Sequence, residues 1–329
     1  MQDRFLLFIA ANAHRLPEGL VRSLFAVIAF FLWLFDLPQA RQLERNLAHT
    51  QAGLGERERS RRRIRHLSFQ GLQSYFAYFA EAMTIRARSQ EELDARVRIA
   101  GPYADDIMRQ PVLSSFPGAL GHEGNWDYAA VWCKKHVAPV ATVAEKLSNP
   151  RLLETFVSIR RELGMTLYTS GDTHLINKLK DEMSGRHILV PLLADRDLSH
   201  HGIFVDFFDS RIRIARGPAT LAIDCGLPLY VVNIYRERLT GRRKAAAHSR
   251  WGYVLLISGK IDPSFWRGFR LEDPEERQQA IVAVSREWAR IYSADLARHP
   301  QDWHMLQPIF WEDLDHSRLS GIPKKPYNE

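Results

Sequence analysis

Two cysteines in 329 residues set the first limit. Cys133 and Cys225 lie far apart and match no metal-ligand spacing. That excludes a disulfide framework and a cysteine-based zinc module, and it points to a reducing compartment. No internal repeat or low-complexity tract occurs. Nothing resembles a helix-turn-helix, a zinc finger or an aromatic RNA-binding motif, so no nucleic-acid partner is expected. His200-His201 has no third ligand at a suitable spacing, and no metal site is expected there. A bilayer-spanning hydrophobic run is also missing. The apolar stretch at residues 24–35 would extend roughly 18 Å as a helix, against a hydrocarbon core of about 30 Å. Arg22 and Asp36 bound it, and Asp36-Leu37-Pro38-Gln39 follows where a signal peptide would carry small residues.

Two readings of that stretch stand. One is a buried core helix; the other is an in-plane membrane anchor with Trp33 and the phenylalanines at the interface. Charge favours the anchor. Lys plus Arg number 45 against 38 Asp plus Glu, for a net +7 and a pI near 9.5, which suits an anionic membrane surface or a phosphorylated substrate. The dense arginine run at residues 57–65 reads equally well as a solvated helix face.

With 46% hydrophobic residues the chain can bury one large core or two. Residues 1–95 look helical and membrane-associating, and residues 96–329 look like an α/β core. In the first part Ile64, Leu67, Leu72, Tyr75, Phe76, Phe79 and Met83 recur on one helical face, as core or as the lining of an acyl-chain groove. In the second part strand-like runs fall at residues 112–116, 137–143, 165–168, 188–193, 204–208, 228–234 and 253–257. Between them Asn149-Pro150, Pro218 and Asp273-Pro274-Glu275-Glu276 open helices, the last resembling a capping box. This alternation predicts a mostly parallel or mixed central sheet, with helices on both faces and a helical N-terminal extension.

The most telling stretch is Gly121-His122-Glu123-Gly124-Asn125-Trp126-Asp127. It follows residues 111–120, an apolar run that reads as a buried strand, and precedes a short helix. A histidine in a glycine-flanked strand-to-helix turn sits where open α/β sheets present their chemistry. With Asp127 to orient it, His122 can take a proton from an alcohol near neutral pH. The HxxxxD spacing alone is common, so later segments matter. Arg160 lies one helical turn after Phe156 and shares its apolar side, where an arginine either reaches solvent or holds an anion. Asp195 and Asp197 flank Arg196 at the end of a buried strand. His304, in an Asp-Trp-His sequence, reads as structural, closing the fold near the site.

The 121–127 turn resembles the HxxxxD motif of bacterial lysophospholipid-type acyltransferases, and more narrowly the late acyltransferases of lipid A biosynthesis. The segment at 194–199, the Val-Asp-Phe-Phe run at 205–208 and Pro300-Gln-Asp-Trp-His-Met-Leu-Gln307 resemble one branch, the actinobacterial phosphatidylinositol mannoside acyltransferases. The resemblance extends from Arg41-Gln-Leu-Glu-Arg-Asn-Leu47 to about Leu314. It implies a membrane-associated enzyme that moves a long acyl chain from acyl-CoA, a co-substrate, to a mannose hydroxyl of phosphatidylinositol mannoside, with no cofactor. It implies His122 as base, Asp127 as its orienting carboxylate, and Glu145 and Arg160 as substrate-binding residues. Asp195 and Asp197 bracket a further site position. Glu123 differs from many relatives and is expected to alter local charge. Backbone N–H groups of Gly124 and Asn125 are candidates for the oxyanion. The rivals are a lipid A-type enzyme with another glycolipid acceptor and a non-catalytic basic membrane-binding protein.

Overall fold

The computed structural model describes residues 12–145, 149–197 and 201–316. Its first helices are α1 (Glu18–Leu34), α2 (Pro38–Thr50) and α3 (Arg61–Thr84). Pro38 sits in the first turn of α2, where the missing N–H costs nothing. The Ser60 hydroxyl caps α3 by accepting from the Arg63 N–H. Among the described residues no single helix is long and apolar enough to cross a membrane; α1 and α2 meet such a length only as a pair bent by 79°.

The α1 helix packs on α3 through Val21, Phe25 and Ala29, while Leu20, Leu24, Val27, Phe31, Leu34 and Phe35 are exposed. The apolar stretch is therefore not a fully buried core helix. Trp33 departs from expectation, because it turns onto α3 rather than outward. Its ring N–H donates to the Arg65 carbonyl at 3.0 Å, and the Arg65 guanidinium lies 4.7 Å above the ring. Arginines 57, 59 and 61–63 are exposed.

A Ser89–Glu92 capping box starts α4 (Gln90–Arg96), which leads into β1 (Val97–Ala100). Where residues 111–120 read as one strand, the chain forms the end of α5 (Ala104–Leu113) and then β2 (Phe116–Leu120). A short apolar run fits either period, and the strand begins only at Phe116. There follow α6 (Trp126–His136), β3 (Ala141–Ala144), α7 (Pro150–Glu162), β4 (Thr166–Thr169), α8 (Leu175–Gly185) and β5 (Leu189–Leu193). Next come β6 (Ile203–Phe207), β7 (Ser210–Ile214), α9 (Gly217–Cys225), β8 (Leu229–Arg238), α10 (Gly241–Ala247), β9 (Trp251–Ile261) and α11 (Pro274–Leu296). The β7 strand goes unread in sequence because its hairpin turn is Phe208-Asp209, without the glycine that usually marks one, and Phe208 adopts φ 58°.

Five strands form a mixed sheet in the order β1-β9-β8-β2-β5. The β8, β2 and β5 strands are parallel, and β9 runs against β8. A parallel bridge between Val140 and Leu189 sets the β3–β4 pair beside β5. Along β8, Tyr230, Val232 and Ile234 join the core under α6, whereas Leu229 and Val231 join the core under α11. That period of two puts a hydrophobic layer on each face of the sheet, and helices cover both. Asp273 caps α11 by accepting from the Glu275 and Glu276 N–H groups, but the Glu276 carboxylate turns to Arg270 instead of completing a capping box. Trp288 of α11 is buried and donates to the Ala119 carbonyl of β2 at 3.1 Å. Cys133 and Cys225 are both free thiols.

Buried polar contacts fasten the helical part to the α/β part. Asn46 donates to the Met305 and Gln307 carbonyls at 2.7 and 2.9 Å. Arg96 grips both oxygens of Glu18 on α1, at 3.0 and 2.8 Å. Arg96→Ala removes both hydrogen bonds from the buried Glu18 carboxylate, leaving it only the longer ion pairs with Arg22 and Arg88 at 3.8 Å, and is expected to cost about 3–5 kcal/mol of stability. Urea unfolding followed by tryptophan fluorescence measures this, and a loss below about 1 kcal/mol would mean the pair is solvated.

Candidate active site

In the parallel pairing of β2 with β5, Leu120 stands opposite Leu193. Two residues further on along each strand come His122 and Asp195, so they leave the sheet side by side at its carboxyl edge. Open α/β sheets place their ligands at that edge. Two glycines make the turn possible. A Cβ at Gly121 would collide with the Tyr292 hydroxyl and the Asp195 carboxylate, and one at Gly124, where φ is 62°, would meet the Ile234 carbonyl. Asn125 then caps α6, accepting from the Tyr128 N–H at 2.9 Å.

Asp195 is fully buried and both of its oxygens are engaged. Oδ1 lies 2.7 Å from His122 Nδ1, and Oδ2 accepts from the His122 backbone N–H at 2.9 Å and from Trp303 Nε1 at 2.8 Å. Burial by itself would raise the pKa of this carboxyl. Attraction to the His122 ring and the hydrogen bonds from His122 and Trp303 outweigh burial and hold the pKa below the usual value. A carboxylate only accepts, so Nδ1 of His122 carries a hydrogen, and of the two neutral tautomers the pairing selects the one whose lone pair is on Nε2.

Asp127 does not orient His122. Its carboxylate accepts from Arg160 Nε at 2.6 Å and Nη2 at 3.2 Å, and from the Tyr78 hydroxyl at 3.0 Å. The spacing of the motif carries Asp127 into the first turn of α6, where its partners come from α7 and α3. Burial opposes charge on Arg160, yet Asp127 and Tyr78 outweigh it and raise the guanidinium pKa. Asp197 donates its N–H to the Arg213 carbonyl at 3.0 Å and is not part of the cavity wall. Of the acidic pair, Asp195 is the one at the histidine. Glu145, just past β3 on the same sheet edge, is exposed and pairs with Arg196, which also reaches Gln307.

Neither proposed oxyanion donor fits. The Gly124 N–H is spent on the Asp302 carbonyl at 2.9 Å, and Gly124 and Asn125 are both buried outside the cavity wall. Glu123 also turns away, taking the Asn233 amide at 3.0 Å. Burial pushes its pKa well up, and the carboxyl faces the Asn233 amide and the Ile234 N–H rather than His122. Among the described residues no group of three His, Cys, Asp or Glu is placed to hold a metal ion; His200 lies outside them.

His122 opens onto a cavity of about 380 Å³ between the sheet and α6. Alternate residues of β2, Gly118, Leu120 and His122, share its wall, a length of about 13 Å. Val232, Leu255 and Ile257 continue the apolar lining, and Tyr75, Phe79 and Phe156 close it from α3 and α7. Of the α3 stripe, Tyr75, Phe76 and Phe79 are partly exposed and Ile64, Leu67, Leu72 and Met83 are core. His304 belongs to the site as well, since its ring lines the cavity and its N–H donates to the His122 carbonyl at 2.7 Å. Tyr78 carried no signal in sequence beyond being aromatic, and Trp303 was legible only as part of the 300–307 segment, without a role.

Residues 4–311 match the family described as bacterial lipid A biosynthesis acyltransferase. The chain belongs to this family. It is 30% identical over 313 residues to a phosphatidylinositol mannoside acyltransferase of Mycolicibacterium smegmatis, spanning 93% of this chain and 90% of the relative. It is 29% identical over 315 residues to one of Mycobacterium tuberculosis, spanning 93% and 88%.

In this acyltransferase Asp195→Asn replaces an acceptor by a group that no longer fixes the His122 tautomer, and turnover should fall about 10⁴-fold. An acyl-transfer assay in which the variant lost less than about tenfold would remove Asp195 from that role. Acid stability supplies a second check. Burial pulls the His304 pKa down to about 3, while an unfolded histidine protonates near 6.5. Between those values the unfolded chain binds the extra proton, so stability falls as pH falls through the window. His304→Gln should flatten that part of the curve in urea melts compared at about pH 7 and about pH 4.

Proposed function

We propose that the protein transfers a long, palmitoyl-like chain from acyl-CoA to the 6-hydroxyl of a mannose of phosphatidylinositol mannoside, at the cytoplasmic face of the plasma membrane. The observation that carries this reading is the His122–Asp195 pair at the head of an apolar cavity. Nε2 of His122 takes the hydroxyl proton as the oxygen attacks the thioester carbonyl. The carbon–sulfur bond then breaks, and the departing thiolate takes that proton from the imidazolium. Asp195 stabilises the imidazolium throughout. Arg160 is a half-buried cation in the cavity wall, anchored by Asp127, and we assign it the charge that develops on the carbonyl oxygen. Each methylene of the chain that enters the cavity contributes about 0.8 kcal/mol.

Transfer is direct in this scheme. Cys133 lines the cavity, but burial pushes its thiol up to about 12, so it is no thiolate at neutral pH. The mannoside acceptor rests on the names of the mycobacterial relatives; the family description leaves a lipid A-type sugar acceptor as the rival. The exposed stripe of α1 supports an in-plane seat on lipid. Exposed arginines 61–63 open α3 beside the far end of that helix, where Arg65 holds Asp36 at 2.8 Å, and they suit anionic headgroups.

His122→Ala should reduce transfer at least about 100-fold while leaving acyl-CoA affinity unchanged, by mass-spectrometric product analysis and calorimetry. Near-wild-type transfer would end this mechanism. Running palmitoyl-CoA with purified mannoside and lipid A-type acceptors separates the two substrates. Leu24→Glu with Phe31→Glu, both at exposed positions, should abolish co-sedimentation with anionic vesicles without lowering the melting temperature.

A further inference from the structure

A second histidine in the cavity wall has its protonation fixed by its neighbours. Asp302 accepts from Arg236 Nε at 2.8 Å and from the Arg236 backbone N–H at 3.0 Å. The Ser74 hydroxyl, 2.7 Å from Asp302 Oδ1, gives its single hydrogen to that carboxylate. It therefore presents a lone pair to His304 Nε2, 3.0 Å away, and Nε2 must carry the ring hydrogen. Nδ1 is left as a bare acceptor.

Among the described residues that nitrogen has no hydrogen-bond partner, although the residue is only 6% exposed. Buried acceptors are nearly always bonded. The ring shares the cavity with His122 and lies beside the packed Tyr78 and Trp126 rings, its centroid 5.8 and 6.1 Å from theirs. Its backbone hangs on the His122 carbonyl, so the two imidazoles are held in one frame. Tyr75 and Trp126, partly exposed in the same wall, offer flat faces of the kind on which sugar C–H groups pack.

We propose that His304 binds the acceptor, its Nδ1 accepting a hydrogen bond from a sugar hydroxyl next to the one acylated and so holding the reacting oxygen at His122. This rests on the reading of His122 as base and of a sugar alcohol as acceptor. The chemistry required is a neutral O–H or N–H donor. A pantetheine amide could also supply it, and the test separates the two sources.

His304→Gln keeps an amide N–H for Ser74 and deletes the acceptor at the δ position. With octyl α-mannoside and palmitoyl-CoA, the acceptor KM should rise about 3- to 10-fold, the worth of one neutral hydrogen bond. The palmitoyl-CoA KM should stay unchanged. His304→Asn, whose Oδ1 stands near the lost nitrogen, should recover part of the difference. Monodeoxy octyl mannosides assayed with the wild-type protein give a measurement independent of any variant's folding. One analogue should lose a similar factor, and the Gln variant should no longer distinguish it from the parent sugar. A rise in the palmitoyl-CoA KM instead would assign Nδ1 to the pantetheine arm and overturn the sugar assignment. So would a deoxy series in which every analogue matches the parent. Wild-type transfer by His122→Ala would sink the base reading separately, whatever the His304 variants do.

Discussion

The candidate site is organised around one buried carboxylate facing one imidazole across two parallel strands, and the chemistry we propose depends on that pair. Asp195 is fully buried, so three hydrogen bonds, one of them to the His122 ring, must stabilise its charge. Each of these groups is consequently locked by the others. The His122 N–H is used together with its ring, which fixes the backbone of the turn as well as the tautomer. Trp303 is drawn in from the C-terminal segment and brings His304 with it, bonded to the His122 carbonyl. Gly121 follows from the same crowding, because Tyr292 and Asp195 occupy the space of any side chain there.

Because Asp195 and not Asp127 is bonded to His122, Asp127 is left to a different partner. Arg160 is a long cation in a largely apolar wall, a position that would cost several kcal/mol if left unpaired. Asp127 and Tyr78 compensate its charge and aim the guanidinium into the cavity rim. Asp127 and Asp195 are thus each committed to one basic partner, and neither bridges to the other's. In the scheme we propose, the arrangement separates proton transfer, on the sheet edge, from charge stabilisation, on the helix side.

Much of this was legible in the sequence, and the limit is physical. The α/β class follows from alternating periods, and helix starts at Pro150, Pro218 and Asp273 follow from caps and proline placement. His122 is legible because a glycine-flanked turn after an apolar strand has few other uses. What no spacing reveals is which strand lies beside β2. The strand order places β5 there, across 73 residues of chain, and that neighbour supplies the carboxylate. Asp127, five residues away, is the local choice, and parallel register overrides it. Residues 104–120 fail for a local reason, since an apolar run too short to show its period hides the joint between α5 and β2. Tyr78, Trp303 and His304 matter through tertiary placement alone.

The helical N-terminal part then has to be understood as a wall of the site and not as an appendage. Tyr75, Tyr78 and Phe79 of α3 close the cavity opposite the sheet. On the reverse side of the catalytic turn, Glu81 of the same helix accepts from Asn125 at 2.8 Å and from Tyr253 at 2.5 Å, and pairs with Arg22 of α1. A buried carboxylate with these three partners joins the exposed apolar helix to the residue that caps α6. Each partner neutralises or hydrogen-bonds a group that would otherwise be buried alone, so none can leave without stranding the rest. The helix that we seat on lipid is therefore part of the framework that holds the turn carrying His122, and the two surfaces share one set of buried bonds.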